Sequence, residues 1–189
     1  MSNQLGEWRG DFGRAYTDRN VPDWHDRLDG LRSMLPAVES VLEVGCNRGH
    51  NMVAIQHLLP AATVVGVEPM EYARHLAQDA GLDVVNGSVY ALPFADEKFD
   101  LVFTSGVLIH VPPDRLHEAM RELARVTSQY VLAIEYASVK DEMIEYQGRT
   151  EMLWKRDYAQ HYLLAVPELE LVTAGKAGYD NADWALLEL

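Results

Sequence analysis

The residues with the clearest chemical pattern are Val41-Leu42-Glu43-Val44-Gly45-Cys46-Asn47-Arg48-Gly49-His50-Asn51. An apolar run containing one acid leads into a glycine-rich corner, and helical periodicity begins just after it. That order predicts a strand, a tight turn and a helix N-terminus, the place in an open α/β sheet where a nucleotide-like ligand sits. Glu43 narrows the ligand, because a carboxylate two residues before the turn repels phosphate and suits an amino group or other positive charge. A dinucleotide fingerprint would place glycines at 45, 47 and 50, but the chain has Gly45, Asn47 and His50 there. NAD and FAD are therefore disfavoured, and the Gly-Lys-Ser/Thr ending of a triphosphate loop is missing as well.

Alternating elements must position this corner. Residues 5–35 are aromatic and charged, with Leu28, Leu31 and Leu35 at helical spacing, and predict one or two helices before the sheet. Val41–Val44 is the first strand, and Met52, Ile55, Leu58 and Leu59 line the helix after it, which Pro60 ends. Thr63–Glu68, Asp83–Asn86, Phe99–Thr104 and Tyr130–Glu135 read as further strands. Leu116, Met120, Leu123 and Val126 give an amphipathic helix before the last of these. Residues 139–165 read as helical, and Leu169–Lys176 with Trp184–Leu189 as a closing hairpin. The expected fold is Rossmann-like α/β: seven strands, mostly parallel, with one antiparallel strand and helices on both faces. Asp100, at the start of its strand and away from the ligand-binding ends, is expected to be structural.

Composition limits the partners. The chain has 189 residues, enough for one domain, divided into a helical cap over 1–36 and a core over 38–189 with a helical substrate-side segment at 138–165. Its formal net charge of −13 repels phosphate backbones and anionic membranes, so neither nucleic acid nor membrane is expected as a partner. One cysteine, Cys46, gives no internal disulfide and no cysteine-rich zinc site; no metal is expected, and a reducing cytoplasm suits the chain. The first residues show no secretory signal pattern, and no apolar run is long enough to span a bilayer.

The chain resembles the class I S-adenosylmethionine-dependent methyltransferases. The resemblance lies in Glu43-Val44-Gly45-Cys46-Asn47-Arg48-Gly49 and Glu68, in Gly87-Ser88-Val89-Tyr90-Ala91-Leu92-Pro93-Phe94, and in Phe99-Asp100-Leu101-Val102 with Leu108-Ile109-His110-Val111. It implies that Gly45, Asn47 and Gly49 let the backbone approach the methionine part of the cofactor, and that Glu43 supports its amino group. By the same resemblance Glu68 takes the ribose hydroxyls, a task suited to a carboxylate that accepts two charge-assisted hydrogen bonds. Pro69 and Met70 border the adenine, Gly87, Ser88 and Val89 face its edge, and Thr104 and Ser105 lie beside the sulfonium. Two residues depart from the family pattern. Asn47 replaces the middle glycine, which the turn tolerates because Asn accepts positive φ. Ser88 replaces the usual acid after the third strand.

Methyl transfer is an in-line displacement that relies mainly on orientation, and a base is needed only for a weakly acidic nucleophile. His110, just past the fourth strand, is the leading candidate base, and packing beside Pro112 and Pro113 is its alternative role. Glu135 is the second candidate. Tyr136 and Tyr146 are expected to orient the acceptor, Arg149, Lys155 and Arg156 to hold an anionic group, and Trp154 to stack on a sugar or base. The N-terminal Trp8-Arg9-Gly10-Asp11-Phe12-Gly13 with Tyr16 and Arg19-Asn20, then Gly45-Cys46-Asn47, then Leu153-Trp154-Lys155-Arg156-Asp157, is similar to methylases associated with pseudaminic acid biosynthesis and related surface-sugar pathways. That similarity implies an acidic sugar or nucleotide-sugar acceptor, with Tyr16 and Arg19 reaching the cofactor. Sugar O-methylation is thus the expected reaction, with S-adenosylhomocysteine as co-product and a monomer or homodimer as the acting species. Nitrogen or carboxyl methylation of another metabolite is the nearest rival, followed by a catalytically silent cofactor-binding protein.

Overall fold

A computed structural model describes residues 4–189; the first three residues of the expected cap lie outside the described residues. The elements in chain order are α1 (Gln4–Arg9), α2 (Asp11–Arg19), α3 (His25–Met34), β1 (Ser40–Val44), α4 (His50–Leu58), β2 (Thr63–Val67), α5 (Glu71–Asp79), β3 (Val84–Val85) and β4 (Phe99–Ser105). They continue with α6 (Leu116–Arg125), β5 (Thr127–Glu135), β6 (Glu142–Tyr146), β7 (Arg149–Lys155), α7 (Tyr158–Ala165), β8 (Glu170–Lys176) and β9 (Asp183–Glu188). Among the described residues no helix is long and apolar enough to cross a membrane.

Seven strands form the main sheet in the order β3-β2-β1-β4-β5-β9-β8. The first five run parallel, and β9 runs antiparallel to both β5 and β8, one position in from the edge. The expected sheet, with its single antiparallel strand, is the one observed. Its central strands are apolar on both faces because helices cover both. Leu42, Val65 and Val102 join one buried cluster with Met120 and Leu123 of α6. Val41, Val64 and Leu101 join the other with Leu31 of α3 and Ile55 of α4. Asp100 is structural, as expected: its carboxylate accepts the backbone N–H groups of Glu39 and Ser40 at 2.9 and 3.0 Å.

Two expectations need correction. The N-terminal region holds three helices, not one or two. Residues 139–165 are not one helical segment: β6 and β7 pair antiparallel as a separate two-stranded sheet, and only α7 is helical. The reason lies in Gln147-Gly148, where both residues have positive φ (52° and 74°), the backbone of a two-residue hairpin turn that closes the pair Tyr146↔Arg149.

Candidate functional site

Strand order reverses between β1 and β4, and the crevice at their carboxyl ends is the ligand-binding position of an open parallel sheet. A cavity of about 490 Å³ lies there, bordered by the β1 corner, the end of β4, helices α1 and α2, and the β6–β7 hairpin.

The corner is held in a left-handed backbone path. Gly45, Asn47 and Gly49 have φ of 78°, 50° and 79°. A side chain at Gly45 would also bring its Cβ within 2.5 Å of Val107 Cγ2. The turn is clasped by Glu68, whose carboxylate accepts the N–H of Asn47 and the N–H of Met70, each at 2.8 Å. Burial raises the Glu68 carboxyl above the ordinary range, and these backbone donors oppose the rise. Glu43 lies beside the corner, with one oxygen accepting Asn51 Nδ2 at 2.7 Å. Its other oxygen is buried without a partner, as is Asn47 Oδ1. Burial pushes the Glu43 carboxyl up to about 8. An unpartnered carboxylate oxygen and amide oxygen beside a glycine turn that lines the cavity suit a ligand that carries an ammonium group and further donors. The residues present therefore fit the cofactor that the sequence resemblance implies.

The other end of the cavity is aromatic. The imidazole of His110 lies 4.6 Å from the Trp8 ring and 5.4 Å from the Tyr146 ring, centroid to centroid. Its Nδ1 is 2.5 Å from the Met152 carbonyl oxygen. A carbonyl only accepts, so Nδ1 carries the proton and Nε2 keeps its lone pair. Burial pushes the His110 pKa down to about 4, so the ring is neutral at physiological pH. Tyr16 and Tyr136 complete this end, and Tyr16 Oη accepts Asn20 Nδ2 at 2.7 Å. Burial, reinforced by Tyr146 and Tyr136 nearby, raises the Tyr16 hydroxyl.

The cavity brings together Tyr16, Arg19, Glu43, Gly45, Asn47, Glu68, Pro69, Met70, Ser88, Val89, Ser105, His110, Tyr136 and Tyr146. Other expected site residues stand off it. Gly49 starts α4, where a Cβ would come within 2.2 Å of Leu82 Cδ1. Gly87 packs below the rim, where a Cβ would approach Val67 and Pro93. Thr104 is buried and donates to Glu135 at 2.8 Å, which corrects its placement beside the sulfonium. Glu135 is also off the cavity; it is a buried acceptor of backbone N–H groups and not a base facing an acceptor. Arg149 is engaged with Glu7 at 2.5 Å and lies 4.9 Å from the Phe12 ring centre. Trp154 is buried and Lys155 sits beyond the wall. Arg156 is fully buried, and its Nη1 donates to the Leu108 carbonyl at 3.3 Å.

Several lining residues were not legible in advance. Trp8 reaches the cavity because α1 crosses over it. Arg27 of α3 lines the cavity from the far side, its Nη1 on Asp180 at 2.5 Å and its guanidinium 4.3 Å from the Tyr179 ring centre. Arg27 comes from before the sheet and Asp180 from between β8 and β9, so no local pattern joins them. Asn51 did lie within the corner stretch; its pairing with Glu43 follows from an acid in β1 facing the first turn of α4.

The family described as "Methyltransferase domain" matches residues 42–132. An uncharacterized methyltransferase of Schizosaccharomyces pombe is 34% identical over 102 residues, which cover 47% of this chain and 36% of that protein. The chain spans about a third to a half of the length of the curated relatives it matches. Among solved structures, the PH0226 protein of Pyrococcus horikoshii superposes with a TM-score of 0.71 at 18% identity, covering 92% of this chain and 94% of that one. A S-adenosylmethionine-dependent methyltransferase of Methanosarcina mazei gives a TM-score of 0.65 at 14% identity, covering 84% and 95%. The architecture is the class I methyltransferase fold.

Proposed function

We propose that this chain, in which residues 42–132 are a methyltransferase domain with S-adenosylmethionine as its methyl donor, methylates a hydroxyl of a small sugar-type acceptor. The bound donor supplies an electrophilic methyl carbon on a sulfonium. Glu43 and Asn51 would hold its amino group, Gly45 and Asn47 would present backbone to it, and Glu68 would receive its ribose hydroxyls. Met70, Ser88 and Val89 would enclose its adenine, and Tyr16 and Arg19 would border it from α2.

The observation that carries the acceptor reading is the fixed tautomer of His110. With Nδ1–H on the Met152 carbonyl, Nε2 is left as a hydrogen-bond acceptor on a ring that lines the cavity. It can orient a hydroxyl and take its proton as the oxygen attacks. The Trp8 and Tyr146 rings, 4.6 and 5.4 Å away, offset only part of the burial that disfavours the imidazolium this step leaves. The same rings, with Tyr136, give a sugar ring apolar surfaces to lie against. An acidic group on the acceptor, as the pseudaminic-type resemblance implies, would meet Arg19 and Arg27, the arginines that line the cavity, and not Arg149 or Arg156. Labelled donor incubated with a panel of sugars and nucleotide sugars tests the reading. An O-methylated product, located by mass spectrometry, is expected. Methylation confined to amines or carboxylates would overturn it.

A further inference from the structure

We propose that Glu135 is a positioning residue for His110, acting through the backbone of the turn between β4 and α6. The proposal rests on the reading of His110 as the proton acceptor, but its geometry stands apart from that reading.

Glu135 ends β5 and is 2% exposed. One carboxylate oxygen accepts Thr104 Oγ1 at 2.8 Å, the Val107 N–H at 3.2 Å and the Leu108 N–H at 3.1 Å. The other oxygen accepts the Ile109 N–H at 3.2 Å. Those three consecutive N–H groups open the single 3₁₀ turn Leu108–His110, and such a turn has no internal partners for them. When ionised, the buried carboxyl from the neighbouring strand, which burial raises to about 7 while these donors pull it back down, accepts from them all. The opposite side of the turn is held as well: the Leu108 carbonyl accepts Nη1 of fully buried Arg156 at 3.3 Å. The imidazole at the end of the turn then reaches the Met152 carbonyl of β7.

The chemistry requires a carboxylate here and not merely a polar residue. An amide has one acceptor oxygen, so Gln at 135 would set its NH₂ group against either the Ile109 N–H or the donors facing the other oxygen. The turn must then shift, and with it the ring that sets the Nε2 direction. Glu135 touches no part of the ligand cavity, which separates this role from catalysis proper.

Glu135→Gln is the test. Expected are a kcat about ten- to a hundredfold lower, the scale of a small misplacement of a reacting group, and a cofactor Kd within about twofold of the parent, because Glu135 shares no hydrogen bond with Glu43, Asn47 or Glu68. Nitrogen NMR of the imidazole should change from one tautomer, protonated at Nδ1, to a mixture. An unchanged tautomer together with unchanged kcat would overturn the proposal. A lower unfolding temperature with an unchanged tautomer would also overturn it, since that is what a merely structural role gives. If the variant does not fold, amide hydrogen exchange in the parent decides. The N–H groups of Val107, Leu108 and Ile109 should be protected like those of β4, and exchange at the rate of open loops would refute the clamp. Full activity in His110→Ala would end the base reading without affecting the tautomer result.

Discussion

Glu43 and Asn51 form a pair at 2.7 Å that leaves one carboxylate oxygen of Glu43 buried and unpartnered at the cofactor corner. The pair joins β1 to the first turn of α4, and the unpartnered oxygen of the same acid suits a cation.

Cofactor binding should release a proton. Burial holds the Glu43 carboxyl at about 8, so it is mostly neutral at pH 7, and an arriving ammonium group stabilises its charged form. Calorimetry at pH 7 in buffers of differing ionisation enthalpy should show release approaching one proton per S-adenosyl ligand. Glu43→Gln should abolish the release and weaken binding by about 1.5–3 kcal/mol, the scale of charged hydrogen bonds. Equal proton release in the variant would assign it to another group.

Glu68→Ala removes the acceptor of the Asn47 and Met70 N–H groups as well as the proposed ribose partner. A loss of at least about 1.5–3 kcal/mol in S-adenosylhomocysteine affinity is expected by titration. NAD should bind neither protein, and measurable NAD binding to the parent would contradict the cofactor assignment.

His110→Ala should lower kcat about a hundred- to ten-thousandfold, the usual contribution of a positioned base. Cofactor affinity should stay within about twofold, because the corner shares no hydrogen bond with the imidazole. A loss confined to the acceptor KM would make His110 a binding residue only.

Arg149→Ala tests the correction to the expected anion site. Its guanidinium is 46% exposed and already paired with Glu7, so the change should cost no more than about 1 kcal/mol of stability. The acceptor KM should move less than about twofold. A tenfold rise would mean that the ion pair opens to take the substrate.

Stability should decline on both sides of mildly acidic pH. Glu43 at about 8, Glu135 at about 7 and the raised Glu68 keep protons in the folded chain that the unfolded chain has released. Their contribution is full below about pH 4.5 and is lost as pH rises through the folded values. His110 runs oppositely: its folded pKa is about 4, against 6.5 unfolded. Its contribution is full above about pH 6.5 and is lost as pH falls through the folded value. Thermal unfolding should be highest near about pH 5–6, and Glu43→Gln should flatten the alkaline decline. A Tm that climbs steadily from pH 6 to about 8 would contradict these shifts.

The corner was legible because its information is local. Glu43, Gly45, Asn47 and Gly49 sit within one strand, turn and helix start, and the acid at 68 ends the adjacent strand. The hairpin was not legible. Its strands stand apart from the main sheet, and burial in β7 runs Met152-Leu153-Trp154 without alternation, which hides the two-residue period. The charges of that stretch misled for the same reason. Arg156 is fully buried and Arg149 is spent on α1, facts set by long-range packing. The aromatic end joins Trp8, His110 and Tyr146 from three distant segments, and no spacing rule connects them.

The position of β9 between β5 and β8 bears on how the chain is made. On the ribosome β8 emerges first, yet it has no neighbour in the sheet until Asp183–Glu188 follows and slots in beside β5. Until then the edge of β5 is open and Leu171 and Val172 have no strand beside them, a state exposed to chaperones and to mispairing with other nascent chains. The wall behind Glu135 therefore waits for residues 183–188, whereas the parallel partners of strands β1 to β5 all precede that segment in the chain.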